Sequence, residues 1–368
     1  MSKRKKLRLD RAIPALLLIA AAVLLLMKCS SRRVPKDTET SSPEAAVTTV
    51  MTTAVTTTVV TTTTQPATLP LVETPFHRSA AVYSPGRGEF LYSENISVRT
   101  APASLTKLLT AATAIKYSSL DNVYTVGSEL ALVQMNSSMA YLEPGDSLTL
   151  EDLITGMLMA SGNDAAYTIA VSVGRDTSGA ELTDLEAVEA FCGLMNSTAK
   201  ELGMNDSYFT TPDGWDSDGQ YTTAADLIVL ADCVMQIPEI RRIVGTYQAS
   251  VTSYAGIGYT WTNSNLLIAP TSGYFRENVF GIKTGTTYYA GNSLITAFTA
   301  GGEELISVVT GCDTDYDRYE LTIELMDLCM GAPGVSSEPE EQAEESSPEE
   351  TLPQETAEPT TYQNPLLN

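Results

Sequence analysis

The chain has 368 residues, 43% of them hydrophobic, enough for one large domain or two small ones with a substantial core. A formal charge of −23 argues strongly against nucleic acid as a partner, although part of that charge is local to a Glu-rich C-terminal stretch. The single histidine, His77, excludes a zinc site built from His ligands and leaves a Ser-His-Asp or Cys-His arrangement without support; no cofactor or metal is expected.

Residues 2–11 carry six Lys or Arg against one Asp, and residues 12–27 are continuously apolar. Segment 1–36 therefore reads as a cytoplasmic basic stretch followed by a signal anchor or signal peptide. The remainder is expected outside the cytoplasm, held to the membrane by the N-terminus, or secreted if the segment is cleaved. Residues 37–73 are rich in Thr with Ser, Pro and Val and show no core pattern, so they read as a flexible linker. Residues 74–333 form the expected globular domain. Residues 334–368 are rich in Glu, Pro, Ser and Thr without Lys or Arg, and are expected to be disordered by composition. Cys192, Cys233, Cys312 and Cys329 have no C-x-x-C spacing and read as small buried hydrophobes.

Inside the domain, residues 79–83 and 89–92 read as two strands around the turn 84–88. A buried helix is expected over 103–115, with Pro102 ahead of it. A short strand at 123–126 follows, then helices from 150 to 159 and onward through Val173, from 185 to 202, and from Thr222 onward. Residues 279–287 read as a strand, 293–300 and 304–310 as a second hairpin, and 318–330 as a closing helix. Strands at both ends with helices between predict an α+β fold: an antiparallel sheet built from both termini, flanked by helices, with an all-helical subdomain.

Three short motifs carry the chemistry. Ser104 and Lys107 are three residues apart on the expected helix, one turn from each other. A serine at a helix start is ordinarily a cap and a lysine on a helix is ordinarily solvated. In an apolar helix, however, the lysine is disfavoured as a cation and becomes a base for the serine oxygen. Ser161-Gly162-Asn163 follows the helix ending near Met159, and Lys283-Thr284-Gly285 lies on an expected strand. In that order the three motifs support one another. Asn163 can orient a substrate amide and the Lys107 amine, and Ser161 can pass a proton to a leaving nitrogen. Lys283 adds a positive charge that keeps Lys107 neutral and attracts an anionic substrate. Gly285 lets a substrate backbone lie along the strand. The N–H groups of Ser104 and Thr286 can hold an oxyanion, worth roughly 3 kcal/mol per donor.

These motifs resemble those of the penicillin-recognising serine D-alanyl-D-alanine carboxypeptidases, peptidase family S11. The stretches that carry the resemblance are Pro102-Ala103-Ser104-Leu105-Thr106-Lys107, Ser161-Gly162-Asn163-Asp164-Ala165-Ala166, Leu202-Gly203-Met204, Tyr221-Thr222-Thr223-Ala224, Asn263-x-Asn265 and Gly281-Ile282-Lys283-Thr284-Gly285. The resemblance runs roughly from Arg78 to Met330. It implies a β-lactamase/DD-peptidase-like fold, removal of the terminal D-Ala from peptidoglycan stem peptides through an acyl-enzyme on Ser104, and covalent trapping by β-lactams. It also implies that Arg318 receives the substrate's terminal carboxylate beside Lys283, Thr284 and Thr286. One departure stands out: where members commonly carry Pro-His-Gly, this chain has Pro212-Asp213-Gly214. A D,D-endopeptidase would share every motif. A class A-like β-lactamase needs a deacylating glutamate, which Glu201 to Asn205 only approaches. A non-catalytic peptidoglycan-binding protein would have lost acylation.

Overall fold

The computed structural model describes residues 77–179, 181–331 and 364–366. The apolar run 12–27, the linker 37–73 and most of the tail lie outside these residues. No helix among the described residues is long and apolar enough to cross a membrane.

The chain opens with β1 (Ser79–Ser84) and β2 (Glu89–Glu94), then a 3-10 turn (Ala103–Leu105) leading into α1 (Thr106–Tyr117). There follow β3 (Val123–Thr125), β4 (Ser147–Thr149), α2 (Leu150–Met159), α3 (Asn163–Ser178), α4 (Asp184–Leu202), α5 (Ala224–Met235) and α6 (Pro238–Val244). The last part holds β5 (Gln248–Thr252), β6 (Gly258–Thr262), β7 (Val279–Thr287), β8 (Gly291–Ala300), β9 (Glu303–Cys312) and α7 (Asp317–Gly331).

Five strands make one antiparallel sheet in the order β2-β1-β9-β8-β7. The expected sheet from both termini is present: β1 pairs with β9, Ala81 opposite Val308, which joins the first strands of the domain to the last. Alternation along these strands divides their side chains between two layers. Ala81, Ile295, Ala297, Ile306 and Val308 face the main core with the helical region. Ala80, Val82, Leu294, Phe298, Leu305 and Val309 face a second core with Tyr319, Leu321 and Leu325 of α7. Because both of their faces are covered, β1, β8 and β9 are buried along most of their length, and their apolar content helped make both hairpins visible in the sequence.

α1 is the buried axis of the helical region. Every residue from Thr106 to Ala114 is buried, which explains why the helix shows no polar face. The helices around it carry their own punctuation. Thr149 and Asp152 form a reciprocal capping box at the start of α2, and Thr183 and Glu186 do the same for α4. Two details differ from the sequence reading. Ser104 stands in the 3-10 turn ahead of α1 rather than in the helix, because Ala103 has φ +49° and cannot continue a right-handed helix. The β5–β6 hairpin was not anticipated; its outward residues are polar and its turn is only weakly marked. Cys192, Cys233, Cys312 and Cys329 are buried, as small hydrophobes would be.

Candidate active site

Ser104 is held from three sides. Behind it, α1 starts at Thr106 and brings Lys107 Nζ to 2.8 Å from Ser104 Oγ. On one side, β7 passes so close that a Cβ on Gly285 would stand 3.1 Å from Ala103 Cβ and 3.2 Å from Ser104 N. On the other, the loop through Pro212, Asp213 and Gly214 is laid along the first turns of α1. Thr110 Oγ1 donates to the Pro212 carbonyl at 2.6 Å, and Lys107 Nζ donates to the Asp213 carbonyl at 2.8 Å. Gly214, at φ +83°, lies against the Ala103 carbonyl, and a Cβ there would meet that oxygen at 1.8 Å. Only glycine fits that position.

Lys107 has no exposed surface. Burial pushes its pKa down to about 8, against the pull of the Asp213 and Asp164 carboxylates, which favour the cation. Lys283 on β7 is also buried, with Nζ donating to the Thr284 carbonyl at 3.0 Å. Its pKa is held well below the ordinary lysine value, first by burial and then by the like charges of Lys107 and Arg318. Two buried lysines, each held below its ordinary pKa, make a site in which a neutral amine is available at moderate pH.

Asn163, the first residue of α3, is buried, and its amide donates to Asp213 Oδ2 at 2.6 Å. The second Asp213 oxygen accepts the Trp215 N–H at 3.0 Å. Asp213 thus links the Asn163 side chain through its carboxylate to Lys107 through its carbonyl. A small cleft joins Ser104, Asn163, Asp213, Gly214, Trp215, Thr286 and Thr287 to Asn136, Ser137 and Ser138. Ser161 is buried in the turn between α2 and α3 at φ +56° and does not itself line this cleft.

Arg318, in the first turn of α7, is buried beneath the end of β7. Its guanidinium donates to Thr286 Oγ1 at 3.1 Å and to the Gly285 carbonyl at 3.4 Å, and it pairs with Asp315. Thr284 Oγ1 lies 2.7 Å from Ser264 Oγ, so both polar side chains of the β7 motif are fixed by neighbours. His77, by contrast, meets Glu94 on the β2 side of the sheet and takes no part in the cleft.

Sequence reasoning missed the loop that carries Asn136 to Ser138. Asp164 organises it: its carboxylate accepts the N–H groups of Ala140 and Leu142 at 2.8 and 2.9 Å, while the Asn163 N–H donates to the Ser138 carbonyl at 2.8 Å. The signal available was an Asp directly after the Ser-Gly-Asn motif. Strain marks the same place. Of the five non-glycine residues with positive φ among those described, Ala103, Asn136, Tyr141 and Ser161 all sit in the segments that build this site.

A buried lysine on a serine hydroxyl, framed by a Ser-Gly-Asn turn and a Lys-Thr-Gly strand on this sheet, defines the DD-peptidase and β-lactamase class of folds. Comparison with known proteins narrows the class. A family profile for D-alanyl-D-alanine carboxypeptidases, peptidase family S11, matches residues 75–314. The chain belongs to that family. It is 32% identical over 259 residues to the D-alanyl-D-alanine carboxypeptidase DacF of Bacillus subtilis (strain 168), covering 69% of this chain and 62% of that one. The Streptomyces K15 DD-transpeptidase crystal structure superposes with a TM-score of 0.63 at 28% identity, covering 71% of this chain and 100% of that one. Penicillin-binding protein D2 of Listeria monocytogenes, in its ampicillin-bound form, superposes with a TM-score of 0.57 at 27% identity, covering 71% and 99%. Against the first curated relatives the chain spans between 53% and 62% of their length.

Proposed function

We propose that this chain is a serine D-alanyl-D-alanine carboxypeptidase acting on peptidoglycan stem peptides. The observation that carries the reading is the 2.8 Å approach of a fully buried Lys107 amine to Ser104 Oγ. Neutral Lys107 takes the Ser104 proton as Oγ bonds to the carbonyl carbon of the penultimate D-Ala. The N–H groups of Ser104 and Thr286 hold the oxyanion. The C–N bond then breaks, the leaving D-Ala nitrogen receives its proton through Ser161 or Lys107, and the acyl group remains on Ser104. Water attacks the ester, its proton passes to the same base, and Ser104 is restored.

The substrate backbone lies against Gly285, while Arg318 supplies positive charge and Lys283, Thr284 and Thr286 supply donors for the terminal carboxylate. Asn163 orients the acyl amide and, through Asp213, keeps Lys107 aimed at Ser104. A β-lactam enters the same acylation step, as the ampicillin-bound Listeria relative supports. On this reading the apolar segment 12–27 places the domain outside the cytoplasm, next to its substrate.

The test is release of D-Ala from a diacetyl-Lys-D-Ala-D-Ala peptide by the full chain and by Ser104→Ala. The wild-type chain should release D-Ala and the variant should release none, with its thermal unfolding unchanged. D-Ala release that survives in the variant contradicts the assignment.

A further inference from the structure

A second concavity, of about 930 Å³, shares no lining residue with the Ser104 cleft. Its walls are Tyr83 and Phe90 of the first hairpin, Leu202 at the end of α4, and Ile228, Val229 and Cys233 of α5. At the end of α5 the Cys233 carbonyl, which accepts the Gln236 N–H at 3.2 Å, also accepts the side-chain amide of Asn364 at 3.0 Å.

That contact comes from a residue four positions before Asn368. Asn364 Oδ1 accepts the Leu366 N–H at 3.0 Å, which closes a turn over Pro365. Asn364 is only 6% exposed, and Leu366 packs against the main core. An asparagine buried with both ends of its amide engaged is a fitted contact. The sequence changes character at the same point: residues 338–358 hold nine Glu, whereas residues 359–368 hold no charged side chain and end in Pro365-Leu366-Leu367-Asn368.

The tether permits the contact. Thirty-two residues, 332–363, separate the end of α7 from Asn364. Helix α7 packs on the sheet face that carries Leu294 and Val309, and α5 belongs to the core on the opposite face. A segment of that length reaches about 100 Å when extended, ample to pass from one face to the other.

We propose that Asn364-Pro365-Leu366 is an intramolecular docking motif, and that the surface at the end of α5, beside this groove, is its receptor. The occupant is this chain's own C-terminus, and the docking holds whichever reaction Ser104 performs.

The experiment uses the full chain and its Leu366→Asp and Asn364→Ala variants. Hydrogen exchange is followed at residues 229–237, and a fluorescein-labelled peptide of residues 359–368 is titrated by anisotropy. Benzylpenicillin labelling of each variant reports that the domain is folded. Docking predicts exchange about tenfold faster at the end of α5 in Leu366→Asp, as the loss of one partly buried leucine implies. It also predicts that the labelled peptide binds Leu366→Asp and is excluded from the wild-type chain. Identical exchange in all three chains with no peptide binding overturns the proposal. Exchange that quickens on dilution of the wild-type chain also overturns it, because the tail then reaches a neighbouring copy.

Discussion

Lys107 is useful as a base only while neutral, and burial sets its pKa near 8. The expected consequence is a rate of acylation by benzylpenicillin that rises about tenfold per pH unit below pH 8 and levels above it, since the free-enzyme profile reports the base. A stopped-flow pH series checks this, and a profile flat from pH 6 to 9 would assign the base elsewhere. Asp213 modulates the same group. Its carboxylate favours the Lys107 cation, so Asp213→Asn removes a negative charge while keeping the main-chain carbonyl that Lys107 uses. The break in the profile should therefore move to lower pH in Asp213→Asn; an unchanged or higher break means the carboxylate does not act on Lys107. Arg318 gives a different signature. Arg318→Gln should weaken kcat/KM for a peptide with a free terminal carboxylate by about tenfold or more, the cost of a hydrogen bond to a charged group. An amidated peptide should be processed equally slowly by both enzymes. Loss of activity on both peptides alike would make Arg318 a structural residue of the β7 support.

At the scale of elements, the site depends on how tightly three backbones approach Ser104. Gly214→Ala would set a Cβ 1.8 Å from the Ala103 carbonyl at a φ that side chains rarely adopt. The 3-10 turn would have to shift, with an expected loss of about 2 kcal/mol or more in stability and a larger loss of acylation. Thermal unfolding and penicillin labelling read the two effects separately; a variant with wild-type labelling would show that the loop is not what positions Ser104. The same tightness explains what was and was not legible beforehand. The motif residues could be read because their spacings are local: Ser104 and Lys107 are three apart, and Lys283, Thr284 and Gly285 are consecutive on one strand. The 3-10 turn could not be read, because Ala103 is an ordinary residue whose positive φ is imposed by Gly214 and Gly285 from distant parts of the chain. The Asn136 to Ser138 loop escaped for the same reason, since its place depends on hydrogen bonds that the Asp164 carboxylate, more than twenty residues away in sequence, accepts from Ala140 and Leu142 N–H.

For the whole molecule, the arrangement of strands at both chain ends around a helical middle was legible because β1, β8 and β9 are largely buried and both hairpins carry clear turns. The β5–β6 hairpin was not, since one of its faces is polar. β1 and β9 bring the two ends of the domain together, so the sheet forms only after most of the chain is present, and the cleft assembles from the 3-10 turn, the start of α3, the Asp213 loop and β7 on that frame. The central claim is that this assembly makes Ser104 an acyl acceptor. Mass spectrometry of the full chain incubated with benzylpenicillin, followed by peptide mapping, tests it most directly. The account predicts one penicilloyl group, located on Ser104, formed by the wild-type chain and absent from Lys107→Ala. An adduct on another residue, or none on a folded chain, would contradict it.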